Sequence, residues 1–88
     1  MSLFSVRSAG IALAGTGALH FAAPGLFEGV SKLAFPEDTR QWVYRNGAIE
    51  LALGLALSSS RTRRLGALGT AGYVAWLGAR AHTTAAST

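Results

Sequence analysis

Three stretches of the chain are almost free of charge, and turn-forming or polar residues bound each one. Residues 8–23 (SAGIALAGTGALHFAA) hold a single ionisable residue, His20. Residues 41–58 (QWVYRNGAIELALGLALS) open with Trp42, Tyr44 and Arg45 and are apolar from Gly47 to Leu57 except for Glu50. Residues 65–79 (LGALGTAGYVAWLGA) carry no charge. Each run falls short of the ~20 residues that comfortably cross ~30 Å of hydrocarbon, but helices extend into the headgroup region. The pattern predicts three spans, at about 8–23, 41–58 and 64–80. Glycine, which weakens a water-exposed helix, is common where lipid forces the backbone to satisfy itself. Between the first two runs, Leu26, Phe27, Val30, Leu33 and Ala34 fall on one helical face. Pro24 fits the first turn of such a helix and Pro36 stops its continuation. Glu28 and Lys32, four apart on the other side, form a pairable couple. This predicts a short helix over about 25–34, lying along a membrane interface or capping the bundle as an ordered loop.

Small residues recur at four-residue spacing in all three runs. The rows are Gly10, Ala14, Ala18 and Ala22; Ala48, Ala52 and Ala56; and Ala67, Ala71, Ala75 and Ala79. Such spacing lines one side of a helix and lets backbones approach, which is how helices associate where lipid removes the hydrophobic drive. The expectation is a compact bundle packed through these rows. Gly47 and Gly54 flank Glu50 on a second face of their helix, roughly opposite the Ala48 row, so that helix is expected to be covered on two sides.

Composition sharpens the reading. In 88 residues, half are apolar and 14% charged, against the ~25% charged of ordinary soluble domains. Mean hydropathy is +0.33. A water-soluble enzyme is disfavoured. The net charge of +4 would raise nucleic acid as a partner, but the eight basic residues are scattered or sit between apolar runs, so none is expected. With no cysteine there is no disulfide, thiol redox centre or cysteine zinc site. Arg7 followed by an apolar run and small residues near Ala22 and Ala23 resembles a signal peptide; the other reading is an uncleaved first helix. Residues 58–64 (SSSRTRR) form a turn with Arg61, Arg63 and Arg64, a cytoplasmic marker. That places the N-terminus inside, with Trp42, Tyr44 and Trp76 near the outer surface. Basic residues tie at four on each side, the outer set being Lys32, Arg40, Arg45 and Arg80, and the density of the turn decides. Residues 1–82 form one domain, and 83–88 a flexible tail.

Two ionisable residues lie at membrane depth. Glu50 there costs ~2.5–3.5 kcal/mol on insertion scales unless protonated or paired. In an antiparallel pair of helices His20 and Glu50 share the outer half of the bilayer and can meet. Three roles are open. They lock the bundle, through each other or through Asn46 and Thr16; they handle protons or face a quinone; or they touch a partner protein. Arg45 and Arg80 are further candidate partners for Glu50. A metal site would need ligands beyond His20 and Glu50, and His82 is the only other candidate, so no metal and no cofactor is expected. No Ser-His-Asp set occurs, and GIALAGTGALH lies inside an apolar helix instead of following a strand, so it is no phosphate loop.

The segments HFAAPGLF, FP, NGAIELALG and RTRRLGAL resemble the DoxX-like family of small bacterial membrane proteins. The matching positions are His20, Phe21, Pro24, Phe27, Pro36, Gly47, Glu50, Leu51, Gly54, Arg61, Arg64 and Gly66, within residues 15–70. The resemblance implies a four-helix membrane bundle, linked in some members to quinone or thiol redox chemistry. The chain departs from it in ending GARAHTTAAST, without the fourth helix. The expectation is therefore an all-α integral membrane bundle of three transmembrane helices and a short interfacial helix in the bacterial inner membrane. Its expected role is a non-catalytic accessory subunit of a larger complex, such as a lipid importer of the mammalian-cell-entry type or a respiratory complex. The alternatives are a DoxX-type quinone-linked redox subunit and a free homo-oligomer.

Overall fold

Four helices account for most of the chain, in a computed structural model that describes residues 5–87. They are α1 (Val6–Ala22), α2 (Gly25–Ser31), α3 (Thr39–Ser58) and α4 (Arg63–Ala86). Residues 1–4, assigned above to the start of the domain, and Thr88 of the expected tail lie outside the described residues. No strand occurs among the described residues. At 1.5 Å per residue the 17, 20 and 24 residues of α1, α3 and α4 span about 26, 30 and 36 Å. No single helix is both long and apolar enough to cross a membrane; α1 and α2 together pass that test but meet at a bend of 104°.

The bend follows from local sequence. Pro24 has no N–H to continue the α1 ladder, and its own φ of −59° suits the start of a new helix. The preceding Ala23 leaves the helical region at φ −142°. At the other end of the connector Asp38 adopts a left-handed conformation (φ 54°), which Asp tolerates better than most residues, and α3 begins at the next position. Thr39 Oγ1 donates to the Phe35 carbonyl at 2.6 Å and ties the connector to the helix. α2 is shorter than predicted: it ends at Ser31, leaving Leu33 and Ala34 in turns. Glu28 pairs with Arg40 of α3, and not with Lys32 as the sequence suggested.

α3 is the centre of the fold. α1 packs along one side of it and α4 along another, both antiparallel to it, and the contact between α1 and α4 is slight. The α1–α3 seam is built by glycine. A Cβ on Gly10 would lie 2.7 Å from the Gly54 carbonyl oxygen, and one on Gly47 would lie 2.9 Å from the Gly17 carbonyl oxygen. A Cβ on Gly54 would strike the backbone of Gly10 and Ala14, and one on Gly17 the backbone at Leu51. These positions have no room for any side chain, so the two backbones touch. Gly10, Ala14, Gly17 and His20 are the buried face of α1.

The alanine rows therefore need correction. Gly10 and Ala14 lie in the seam, but Ala18 and Ala22 are exposed and the row is continued by Gly17 and His20. On α3 the seam is lined by Gly47 and Gly54, while Ala48 and Ala52 face outward and Ala56 is half-buried. Ala67, Ala71, Ala75 and Ala79 are all exposed, and α4 meets α3 through Gly66 and Tyr73 instead. Glycine outcompetes alanine for the closest approach because it alone removes the Cβ, and a helix has only one such closest line. Of the two faces of α3 expected to be covered, the one along Gly47 and Gly54 is, and the one along Ala48 and Ala52 is open among the described residues.

The polar turn is tightened by capping. Thr62 Oγ1 donates to the Ala56 carbonyl at 2.7 Å, and Arg63 Nε to that of Leu57 at 3.0 Å. Both serve carbonyls at the C-terminus of α3 that have no helical partner. Arg61 and Arg64 remain exposed. The expected flexible tail is helical to Ala86. Thr83 Oγ1 donates back to the Ala79 carbonyl at 2.9 Å, and Arg80 and Thr84 reach the Ala34 carbonyl, which fastens the end of α4 to the connector.

Replacing Gly54 by alanine is expected to lower stability by roughly 1–3 kcal/mol, because backbone and not a movable side chain fills the space. Gly15→Ala, where nothing lies within 4 Å of the new Cβ, is expected to be neutral or stabilising by up to about 1 kcal/mol. Thermal unfolding followed by circular dichroism checks both.

Candidate functional site

The seam delivers a polar cluster to the middle of the fold. His20 occupies the last turn of α1 and is 4% exposed. It fits beside α3 because Gly47 has no side chain: a Cβ there would meet the Cβ and Cγ of His20. His20 Nδ1 donates to the Thr16 carbonyl at 2.7 Å, since a carbonyl only accepts, and this leaves Nε2 facing Glu50 Oε2 at 3.7 Å. That separation exceeds a hydrogen bond. Phe27, brought back by the bend before α2, stacks on the imidazole with centroids 3.7 Å apart and planes 16° from parallel.

Glu50 has a second partner that the sequence analysis did not foresee. Tyr73 of α4 donates its hydroxyl to Glu50 Oε2 at 2.6 Å. The signal for it lay in the short turn between α3 and α4. Gly66 abuts Leu57 and Gly69 abuts Leu53, so continuing up the antiparallel pair brings position 73 opposite position 50. Asn46, one turn from Glu50 on α3, is also 4% exposed, and its Oδ1 has no hydrogen-bond partner. The expected approach of Asn46 or Thr16 to the pair takes one form only: Thr16 holds His20 through its backbone carbonyl, while its own hydroxyl donates to Ala12.

The two arginines considered for Glu50 go elsewhere. The Arg45 guanidinium carbon lies 4.9 Å from the centre of the Trp42 ring. That of Arg80 lies 4.5 Å from the Phe35 ring and 5.4 Å from Trp42, and its Nε donates to the Ala34 carbonyl. Phe35 is 1% exposed and stacks on Trp42 at 4.5 Å, with Trp76 alongside at 5.4 Å. Trp42 and Trp76, expected in an aromatic belt, thus form with Phe35 a plug that closes one end of the fold; Tyr44 stays partly exposed and stacks on Phe21. An arginine surrounded by three ring faces satisfies its charge through cation–π contact, which frees it from seeking a carboxylate. His82 is exposed near the end of α4, away from the cluster.

His20, Asn46, Glu50 and Tyr73 line a cavity of about 470 Å³ between α1, α2, α3 and α4. Its remaining walls are largely apolar, including Phe27, Val30, Leu33, Val74 and Leu77. The size falls in the range of small-molecule sites, ~300–1,000 Å³, and the lining pattern of many apolar and few polar groups is typical of them.

The model of one protein family matches residues 9–87. The chain belongs to the family described as a domain of unknown function, DUF8561. The match runs from within α1 to the end of α4 and includes His20, Asn46, Glu50 and Tyr73. No curated protein and no solved structure matches the chain.

Removing the tyrosine hydroxyl in Tyr73→Phe is expected to cost about 1–3 kcal/mol, because Glu50 loses the hydrogen bond from Tyr73 while its side chain is only 13% exposed. Glu50→Gln, which keeps an oxygen facing Tyr73, is expected to cost less. Chemical or thermal denaturation of the two variants side by side gives the comparison.

Proposed function

We propose that the chain is a membrane-embedded, non-catalytic accessory subunit that docks its apolar outer faces on a larger integral membrane assembly of the bacterial inner membrane. The inversion of its apolar side chains carries this reading. Ile11 is 56% exposed, Leu26 73%, Val30 64%, Leu55 58%, Leu65 71% and Leu68 66%, whereas Phe35 and Val43 are the largest side chains that are fully enclosed. In water each such residue would forgo up to about 1.5–3 kcal/mol of burial, and large apolar side chains left outward on every long helix suit a surface that meets lipid or protein. The outward alanines of α3 and α4 add shallow faces against which another helix can lie.

Helix dimensions are compatible with this reading. α3 and α4 have the length of a ~30 Å hydrocarbon layer, and α1 has the apolarity. α3 carries Arg40, paired with Glu28, Arg45, over Trp42, and Glu50, which lines the cavity. One end of the bundle holds Arg7, Arg61, Arg63 and Arg64 and no acid; the other holds four basic and three acidic residues, Glu28, Glu37 and Asp38. The dense arginine turn favours the N-terminus in the cytoplasm. Importers of the mammalian-cell-entry type and respiratory complexes are the hosts to test first. A second reading, a quinone-linked redox subunit of DoxX type, draws its support from the His20–Glu50–Tyr73 cluster opening on a cavity.

Mild detergent extraction of the tagged chain from native membranes, with mass spectrometry of what co-purifies, is expected to recover larger membrane proteins in fixed proportion. Leu65→Asn with Leu68→Asn is expected to lower that recovery without lowering the level of the chain. A small oligomer without partners overturns the accessory role, and recovery from the aqueous fraction without detergent overturns the membrane reading.

A further inference from the structure

The cavity is unbalanced in charge and in hydrogen bonding. Glu50 is the one acid in its lining, and no lysine or arginine lines it. The nearest cation-capable group to Glu50 is His20, 3.7 Å away. With Nδ1 donating to the Thr16 carbonyl, Nε2 faces Glu50 Oε2 across a gap longer than a hydrogen bond, and the donor that reaches that oxygen is the Tyr73 hydroxyl. The buried Asn46 amide lines the same space with its Oδ1 unpartnered, one helical turn from Glu50. Buried polar atoms are almost always satisfied, and each exception calls for a partner. Beyond this floor the walls are largely apolar, with Thr16 and Ser31 as the other polar residues, and Phe27 covers the imidazole.

We propose that this cavity binds a lipophilic primary amine in its protonated form, with the ammonium among Glu50, His20 Nε2 and Asn46 and the hydrocarbon along Val30, Leu33 and Leu77. An ammonium supplies up to three N–H donors and a positive charge, which suit the Glu50 carboxylate and the unpartnered Asn46 Oδ1. A carboxylate or phosphate head would meet Glu50 as a like charge. A quaternary ammonium has the charge but no donor to offer the floor. The proposal stands on the cavity alone and holds whether or not the chain joins a larger assembly.

Gly78 offers a clean way to close the cavity. It lines the space, and a Cβ built on it meets nothing within 4 Å. Gly78→Leu therefore adds a large apolar side chain at the cavity wall, with room for its Cβ, and replaces a poor helix former with a good one. The test uses the full chain in lipid nanodiscs with a photoreactive long-chain alkylamine, and with the carboxylate and trimethylammonium analogues of the same length. Sites of crosslinking are mapped by mass spectrometry. The amine is expected to label the cavity lining saturably, around Phe27 and Leu77, and the two analogues to do so at least about tenfold less well. Glu50→Gln is expected to weaken labelling roughly tenfold or more, the loss that follows removal of a charged hydrogen-bond partner, and Gly78→Leu to abolish it with unchanged helix content. Equal labelling by the carboxylate, labelling spread over the outer residues Leu65 and Leu68, or labelling unaffected by Gly78→Leu overturns the proposal. If Glu50→Gln fails to fold, Gly78→Leu and the analogue series still decide.

Discussion

Direct backbone contact between α1 and α3 is the constraint from which the rest of the structure follows. Gly10, Gly17, Gly47 and Gly54 sit where any side chain would collide with the facing helix. Once that line is fixed, the antiparallel register is fixed with it, and His20 can occupy only the space beside Gly47. Dispersion between backbones at this distance, repeated along several turns, substitutes for the large interlocking core that the fold does not have. The fully enclosed large side chains, Phe35 and Val43, lie toward the opposite end from the arginine turn and close that end instead of filling the middle.

The polar cluster is a product of two registers meeting on one helix. α1 brings His20 to one side of Glu50, and α4, set by the capped turn at residues 59–62, brings Tyr73 to the same carboxylate. Because α1 and α4 hardly touch, the space between them above α3 stays open and becomes a cavity, partly roofed by α2. The turn before α2 is thus functional geometry: without Pro24 ending α1, Phe27 would not return over the imidazole. At the end of the fold, Arg80 bridges the connector and α4 through a carbonyl and three aromatic rings.

Much of this was legible from residue pattern. The all-helical build, the starts of the four helices and the approach of His20 to Glu50 follow from uncharged runs, two prolines and antiparallel geometry. The packing face did not. Alanine at four-residue spacing looked like the interface because the chain is rich in alanine; the contact chose glycine, which recurs less regularly but removes the one atom that matters. Tyr73 escaped notice because an aromatic in an apolar run reads as a lipid-facing or core residue until a register is known. The destinations of Arg45 and Arg80 were missed for a related reason. Charge alone points an arginine to a carboxylate, whereas a cage of rings competes equally well once the helices have brought the rings together. The helical end of α4 hid behind a sequence of alanine and threonine with no apolar period.

The bond from His20 to the Thr16 carbonyl leaves the imidazole a one-sided group. One edge is tethered to its own helix, so the edge left to meet a partner is Nε2, directly before the carboxylate and on the cavity side. What the ring can hold is therefore decided on the cavity side alone, and to turn in its place the imidazole would first have to let go of α1.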